Sequence, residues 1–206
     1  MPDLILHEYA ASGNCYKIRL TAAHAGLTIE RREYDIMKGE TRTPAFLSTV
    51  NANGRIPVLQ AGDRFLPESN AACWYVAERS ALIPTDRFDQ ADVLRWMFWE
   101  QYTHEPNVAT LRFWYGWLGE ENWTDAQRAM LPGKRSAGEA ALALMDRHLG
   151  DRRFFVADRL TLADIVLYPY TQTAGEGRYD LSSYPAVQDW LARVAAQPGH
   201  IDATVT

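Results

Sequence analysis

Residues 54–69 read GRIPVLQAGDRFLPES, and this stretch combines two short strand patterns with the turn between them. Gly54 to Leu59 begins one strand, Gly62-Asp63 forms a tight hairpin turn, and Phe65-Leu66 begins the next strand. Glu68-Ser69 then caps a helix that is predicted to run to about residue 80. The stretch therefore predicts a ββα unit.

The residues before this unit alternate between strand and helix patterns. Leu4 to His7 forms a short apolar strand, and Ser12-Gly13-Asn14 caps a helix that stops at Gly26. Thr28 to Tyr34 forms a second strand, and a short helix leads into the ββα unit. The element order predicts an α/β domain over residues 1–80, with a mixed four-stranded sheet and helices on its faces.

The pattern changes after residue 80. Residues 81–88 are predicted to be a linker, and no strand pattern follows it. One long helix is predicted from Asp89 to about Gly119, bent near Pro106 because proline removes a backbone donor. Further helices are predicted to begin near Thr124, Thr161 and Tyr184. The fold class is therefore α/β followed by an all-α domain over residues 89–206.

Composition and charge exclude several classes of function. The chain of 206 residues carries 21 Lys and Arg against 26 Asp and Glu, so its net charge is -5. A protein with this charge lacks the positive electrostatic potential that attracts nucleic acid. Its apolar runs are far shorter than the roughly 20 residues of a membrane helix. Cys15 and Cys73 follow no zinc or disulfide spacing, and no secretory signal is visible. We expect a cytoplasmic protein with reduced thiols and no nucleic-acid or membrane partner.

Four motifs in this order carry a resemblance to a known family. They are Ser12 to Lys17 (SGNCYK), Asn51 to Leu59 (NANGRIPVL), Glu68-Ser69, and Thr161 to Asp164 (TLAD). With this arrangement the chain resembles the cytosolic glutathione S-transferase superfamily, and in particular its bacterial serine-type members. The resemblance implies a thioredoxin-like first domain, reduced glutathione as co-substrate, a hydrophobic small-molecule electrophile, and a homodimer that pairs the first domain of each chain with the second domain of the other.

Ser12 is the candidate catalytic residue that the resemblance implies. Conjugation needs a thiolate, and a free thiol with a pKa near 8.5 is only a few per cent ionised at pH 7. A hydroxyl donor at the positive end of a helix stabilises the anion. The alternative is that Ser12 only caps the helix. Cys15 is a rival nucleophile or a buried core residue, and Tyr9 is another potential thiol partner.

The resemblance also implies a set of glutathione-binding residues. The Ile56-Pro57 bond is expected to be cis, with the amide and carbonyl of Val58 open to a peptide ligand. Glu68 and Ser69 suit the γ-glutamyl ammonium and carboxylate, with Asn70 nearby. For the glycine carboxylate the candidate cations are Lys38, Arg42 and Arg55. Some relatives carry histidine where this chain has Thr41, so the contacts of the glycine end depart from their pattern.

Aromatic residues on the long helical segment are candidates for an electrophile site. The electrophile-site candidates are Tyr9, Asn14, Tyr102, Arg112 and Phe113. Most of the aromatic residues are first explained by core packing. Glu100 and His104 lack a third ligand, so no metal is expected. Thr161 and Asp164 fit a reciprocal helix cap with a structural role.

Two other functions stay open at this point. One is a glutathione-dependent thiol transferase or disulfide reductase that uses Cys15. The other is a glutathione-binding scaffold protein without turnover, because a fold is often reused without its chemistry.

Overall fold

The computed structural model describes residues 3–203 and divides the chain into two compact units. The first unit extends to Ile83 and resumes at Pro198, and the second unit spans Pro84–Gln197. Residues 198–203 belong to the first unit, whereas the sequence predicted residues 89–206 as one helical domain. There the Tyr16 hydroxyl donates to the carbonyl oxygen of Ile201.

The first unit contains a mixed four-stranded sheet, as predicted. Its strands are β1 (Leu4–Glu8), β2 (Glu30–Glu33), β3 (Val58–Ala61) and β4 (Arg64–Pro67), in the spatial order β2-β1-β3-β4. Strands β1 and β2 are parallel, and the other two pairs are antiparallel. The parallel pair requires a crossover, which the first helix provides. This topology places the end of β1 next to the end of β2.

Three helices belong to this unit: α1 (Gly13–Ala25), α2 (Pro44–Thr49) and α3 (Ser69–Val76). Helix α1 ends at Gly26, whose left-handed φ of 67° confirms the predicted stop. Helix α3 ends earlier than predicted, and Arg79 beyond it adopts a left-handed φ of 65°. Apolar side chains of α1 and α3, including the thiols of Cys15 and Cys73, are fully buried.

The second unit is helical, as predicted. Its helices are α4 (Arg87–Trp99), α5 (Glu105–Phe113), α6 (Asp125–Leu149), α7 (Leu162–Gln172) and α8 (Pro185–Ala195). The predicted long helix is instead α4 and α5 joined by a π-helical turn, Glu100–His104, and followed by a second one, Trp114–Leu118. In the first turn the Glu105 N–H donates to the Glu100 carbonyl, immediately before Pro106. A widened turn at this point accommodates the proline, which has no N–H.

Asp164 confirms the predicted reciprocal cap at the start of α7. Its Oδ2 accepts from the backbone N–H of Thr161 at 2.9 Å and from the Thr161 hydroxyl at 3.1 Å. Its Oδ1 accepts from Phe155 N at 3.1 Å and from Trp190 Nε1 at 2.9 Å. Burial raises the pKa of Asp164 to about 6, although these four donors favour the charged form. The residue therefore ties α7 to α8 in the core of the unit.

Candidate functional site

Ser12 occupies the N-cap of α1, at the end of the turn that follows β1. Its backbone N–H donates to the Tyr9 carbonyl at 2.9 Å, and its Oγ accepts from Cys15 N at 3.4 Å. The capping role is therefore real, but accepting one bond leaves the hydroxyl proton available. The hydroxyl also lies within reach of the buried Cys15 thiol, where it favours the thiolate form of that group. Ser12 is half-buried, so its O–H can also reach a ligand at the positive end of α1.

Cys15 lies inside the first unit rather than at its surface. Its side chain is fully buried, and its Sγ accepts from the backbone N–H of Tyr9 at 3.4 Å. Burial raises the pKa of the Cys15 thiol to about 12, against the two hydrogen bonds that favour the thiolate. This geometry matches the core-packing alternative.

Helix α3 begins beside the start of α1. The Ser69 hydroxyl donates to Oδ1 of Asn14 at 3.1 Å. Glu68 precedes the helix with a φ of 73°, which is strained for a residue other than glycine. Its side chain forms no cap hydrogen bond to α3, contrary to the predicted capping role of this residue, and is exposed. The first N–H groups of α3 are thus open to an anion, and Glu68 is open to a cation.

Two further candidates lie in this region. Asn70 is in the first turn of α3 and is half-buried. Asn14, a candidate for the electrophile site, accepts from Ser69, which is one of the predicted γ-glutamyl residues. The two helix starts together form one patch of peptide N–H groups and hydroxyls.

The Ile56-Pro57 bond is cis, as expected. The expectation for Val58 is wrong, because Val58 pairs with His7 of β1 on one side and with Pro67 of β4 on the other. An interior strand position cannot offer its peptide groups to a ligand. The backbone N–H and carbonyl of Ile56 form no hydrogen bond with the part of the chain that the structure describes. The open peptide groups therefore belong to Ile56, one residue before the proline.

The three candidate cations differ in their availability. Lys38 pairs with Asp35 at 3.0 Å, and this carboxylate raises the pKa of Lys38. Arg42 donates to the Asn53 carbonyl at 2.9 Å and lies so close to Gly54 that a Cβ there would come within 2.7 Å of Nη1. Arg55 is exposed, and its guanidinium has no partner among the described residues. Arg42 thus shapes the turn, and Arg55 is the available charge.

The electrophile-site candidates of the second unit also differ in whether their side chains are available to a ligand. Arg112 is held by Glu176 at 2.8 Å and lies over the ring of Trp117 at 4.4 Å, so its charge is already engaged. Phe113 stacks on Trp117 and is 41% exposed, and Tyr102 is 86% exposed. These two aromatic rings present apolar surface. In the first unit, Tyr9 is half-buried and contributes backbone groups to the turn before Ser12.

The described residues contain no group of three or more potential metal ligands. Over the same residues no helix combines the length and the apolar character that a membrane crossing requires.

Two family models match the chain, one to each unit. The N-terminal domain model of glutathione S-transferases matches residues 3–78, and the C-terminal domain model matches residues 115–198. The chain belongs to the glutathione S-transferase superfamily. A crystal structure of a possible glutathione S-transferase from Rhodopseudomonas palustris is 42% identical, with a TM-score of 0.92 over 98% of this chain and 90% of that one.

Two relatives show how widely the superfamily is used. Glutathione S-transferase theta-2 of Homo sapiens is 28% identical over 87% of this chain and 75% of its own length. Elongation factor 1-gamma 3 of Oryza sativa is 30% identical over 80% of this chain. The match spans only 39% of the length of that elongation factor.

Proposed function

We propose that this protein is a serine-type glutathione transferase in which Ser12 stabilises the thiolate of reduced glutathione for attack on a hydrophobic electrophile. The observation that carries the proposal is the half-buried Ser12 hydroxyl, which caps α1 through its oxygen and so lies at the positive end of that helix with an O–H donor. Lowering a thiol pKa by two units requires about 2.7 kcal/mol. One charge-assisted hydrogen bond and a helix dipole supply a stabilisation of this size.

The chemistry of the surrounding groups matches an extended tripeptide. The start of α3, with Ser69, suits the γ-glutamyl carboxylate, and the exposed carboxylate of Glu68 suits the ammonium group. The open peptide groups of Ile56 suit strand-like pairing with the cysteinyl residue. The guanidinium of Arg55 suits the glycine carboxylate. Catalysis then combines thiolate stabilisation with proximity, and no metal takes part.

The first experiment distinguishes the role of Ser12 as the helix cap of α1 from its role as a hydrogen-bond donor to the thiolate. The pKa of glutathione bound to the protein is measured by ultraviolet absorbance across pH, in the wild type and in three Ser12 variants. Ser12→Thr keeps the cap and the O–H donor. Ser12→Asp keeps the cap acceptor but lacks a donor at neutral pH, and Ser12→Ala removes both.

We expect a bound-thiol pKa well below about 8.5 in the wild type and in Ser12→Thr, a normal value in Ser12→Ala, and a normal or raised value in Ser12→Asp, whose carboxylate disfavours a neighbouring thiolate. If all four proteins lower the thiol pKa equally, Ser12 is only a cap. If the wild type binds glutathione without lowering its thiol pKa, the transferase proposal fails and the protein is a carrier or scaffold.

The electrophile site is proposed to include the exposed rings of Tyr102 and Phe113. An apolar wall of this kind suits hydrophobic electrophiles, which is the chemistry of detoxification. Both cysteines are free and buried, which is compatible with the reducing conditions of the cytoplasm, our proposed location.

A homodimer is proposed from two apolar surfaces. Two exposed aromatic side chains lie on α4: Phe88 and Phe98. A groove on the first unit is lined by Leu59, Ala61, Arg64, Phe65, Leu66 and Tyr75. We propose that each chain's aromatic surface fills its partner's groove. Light scattering tests this, with Phe98→Glu expected to give monomers and Met130→Glu, at an exposed position of α6, expected to have no effect.

Two alternatives are tested by the same assays. The buried Cys15, with its raised pKa, disfavours a thiol transferase, and activity abolished in Cys15→Ala but kept in Ser12→Ala would restore that alternative. A scaffold is favoured by the likeness to a protein named as an elongation factor. Tight glutathione binding without conjugation across a broad electrophile panel would establish the scaffold.

A further inference from the structure

Charged side chains from two other elements hold the turn between β1 and α1 at Ala10. Glu33 of β2 accepts from the Ala10 N–H with both carboxylate oxygens, at 2.8 and 3.1 Å. Arg19 of α1 donates from Nη2 to the Ala10 carbonyl oxygen at 2.8 Å. We call Arg19 and Glu33 the Ala10 clamp.

Arg19 is itself fixed by a buried carboxylate. Its Nε lies 3.4 Å from Oε2 of Glu8, and the two side chains are 5% and 0% exposed. Arg31 pairs with the other oxygen of Glu8. Removing one partner of a buried ion pair is strongly destabilising, because it leaves the other charge buried and uncompensated. Because helical side chains lean toward the helix N-terminus, Arg19 reaches back along α1 to the turn.

The clamp is connected to Ser12 through one peptide plane. The Ala10 N–H and the Tyr9 carbonyl belong to the same planar peptide group. Glu33 holds the N–H of that group, and the carbonyl accepts from the Ser12 N–H at 2.9 Å. A rotation of this plane would therefore move the N-cap residue whose hydroxyl is proposed to meet the thiol.

We infer that Glu33 and Arg19 are positioning residues for Ser12, a role that rests on the proposed function of Ser12 as thiolate donor. Neither side chain needs to touch the substrate. Glu33 is the better test of the two because it is exposed, whereas replacing Arg19 would leave a buried carboxylate with an altered charge balance.

The test compares Glu33→Ala, Glu33→Gln and the control Glu30→Ala. Glu30 is an exposed carboxylate of the same strand that pairs with Arg32 at 3.2 Å. The readout is the pKa of glutathione bound to each protein, together with kcat and KM. We expect Glu33→Ala to raise the bound-thiol pKa by about one unit and to lower kcat, because the peptide plane is released. Glu33→Gln keeps an acceptor oxygen and is expected to show no rise, as is Glu30→Ala.

The sign of the shift separates positioning from simple electrostatics. Removing a carboxylate favours a nearby thiolate and lowers its pKa, so a rise in Glu33→Ala cannot come from the lost charge. An unchanged or lowered pKa in Glu33→Ala, with a low value in the wild type, would overturn the inference.

Hydrogen exchange of the Ala10 amide in the ligand-free protein gives an independent measurement. We expect exchange at least about tenfold faster in Glu33→Ala than in Glu30→Ala, because an amide without its acceptor is open to solvent. Equal exchange rates would show that the clamp does not form. A wild type that forms the clamp but does not lower the thiol pKa would contradict the proposed function instead.

Discussion

Ser69 donates its hydroxyl proton to Oδ1 of Asn14 at 3.1 Å and so joins the first turns of two helices that are 55 positions apart in sequence. Because both helices present peptide N–H groups at these ends, the hydrogen bond brings two regions of positive potential to one side of the unit. The carboxylate and the thiolate of one glutathione molecule would each meet one of these helix ends.

Ser69→Ala is expected to weaken glutathione binding and the fold together. Losing the hydroxyl removes its bond to Asn14, so the starts of α1 and α3 are no longer held together and their N–H groups should bind the ligand less well; KM for glutathione should rise by at least about tenfold. The lost bond should also lower the free energy of unfolding by about 1 kcal/mol. Steady-state kinetics and urea unfolding measure the two effects. Ser48→Ala is the control, since Ser48 bonds only to the nearby Ala45 carbonyl. An equal KM in both variants would remove Ser69 from the site.

Arg55→Ala is expected to raise KM for glutathione by about threefold, the size of an exposed ion pair. Lys38→Ala should change it less, because Lys38 is already paired with Asp35. Binding of γ-glutamylcysteine, which lacks the glycine carboxylate, should be the same in wild type and Arg55→Ala. A loss of affinity for this dipeptide in Arg55→Ala would show that Arg55 does not act on the glycine end.

Native Cys15 is expected to react slowly with iodoacetamide. With a pKa raised to about 12 from 9.0, its thiolate fraction near pH 8 is about 10³-fold smaller than that of a free thiol. Burial blocks access as well. Mass spectrometry of native and urea-unfolded protein measures the two alkylation rates. Rapid labelling of Cys15 in the native protein would contradict this prediction and favour a redox role.

Asp164→Ala should destabilise the second unit by about 3 kcal/mol or more, because four buried donors lose their acceptor. Asp180→Ala removes a carboxylate that accepts from Ser182 N at an exposed turn, and its effect should be much smaller. Chemical denaturation followed by tryptophan fluorescence compares them. Similar midpoints for the two variants would argue against the structural role of Asp164.

The free energy of unfolding is expected to fall as the pH is lowered from 7.5 to 6. Gln60 Oε1 accepts from Nε2 of His7, so Nδ1 is left to accept from the Tyr34 hydroxyl and the ring is neutral. Burial lowers the pKa of His7, and it likewise lowers the pKa values of His24, His148 and His200. In the unfolded chain these histidines have pKa values near 6.5, so as the pH falls toward 6 the unfolded chain binds more protons than the folded protein. The folded protein is therefore destabilised.

Asp164 acts in the opposite direction, because its raised pKa of about 6 lets the folded protein take up a proton as the pH falls toward 6. Asp164 is the same in the wild type and in His7→Gln, so the comparison of these two proteins isolates the histidine. Urea unfolding at several pH values should show a shallower dependence for His7→Gln than for the wild type. Unfolding free energy that is constant or rising from pH 7.5 to 6 would contradict the assignment of buried neutral histidines.

Much of the architecture could be predicted because its signals are local. The cap at Ser12, the stop at Gly26 and the turn at Gly62 each depend on the conformational preference of one or two residues. The four motifs then identified the superfamily, and their order along the chain was sufficient. Local signals also explain the correct prediction of the Thr161 and Asp164 cap.

The details that sequence analysis missed are set by partners distant in sequence. Val58 is closed to ligands because β1 and β4 flank it, which only the strand order reveals. The engagement of Lys38 and Arg42 depends on where their side chains meet Asp35 and Asn53. The contact of Asn14 with Ser69 was not predicted, because it requires the packing of α1 against α3.

Residues 198–203 return to the first unit after the entire helical unit has been traversed. There His200 lies beside His24, with ring centroids 6.4 Å apart, and Ile201 accepts from Tyr16. The helical unit is thus an insertion within a discontinuous first unit. During synthesis on the ribosome, where domains tend to fold in order of emergence, this part of the α1 surface stays uncovered until residues 198–203 leave the exit tunnel. A nascent chain stalled before residue 198 would carry the complete turn from Tyr9 to Ser12 on an unfinished unit.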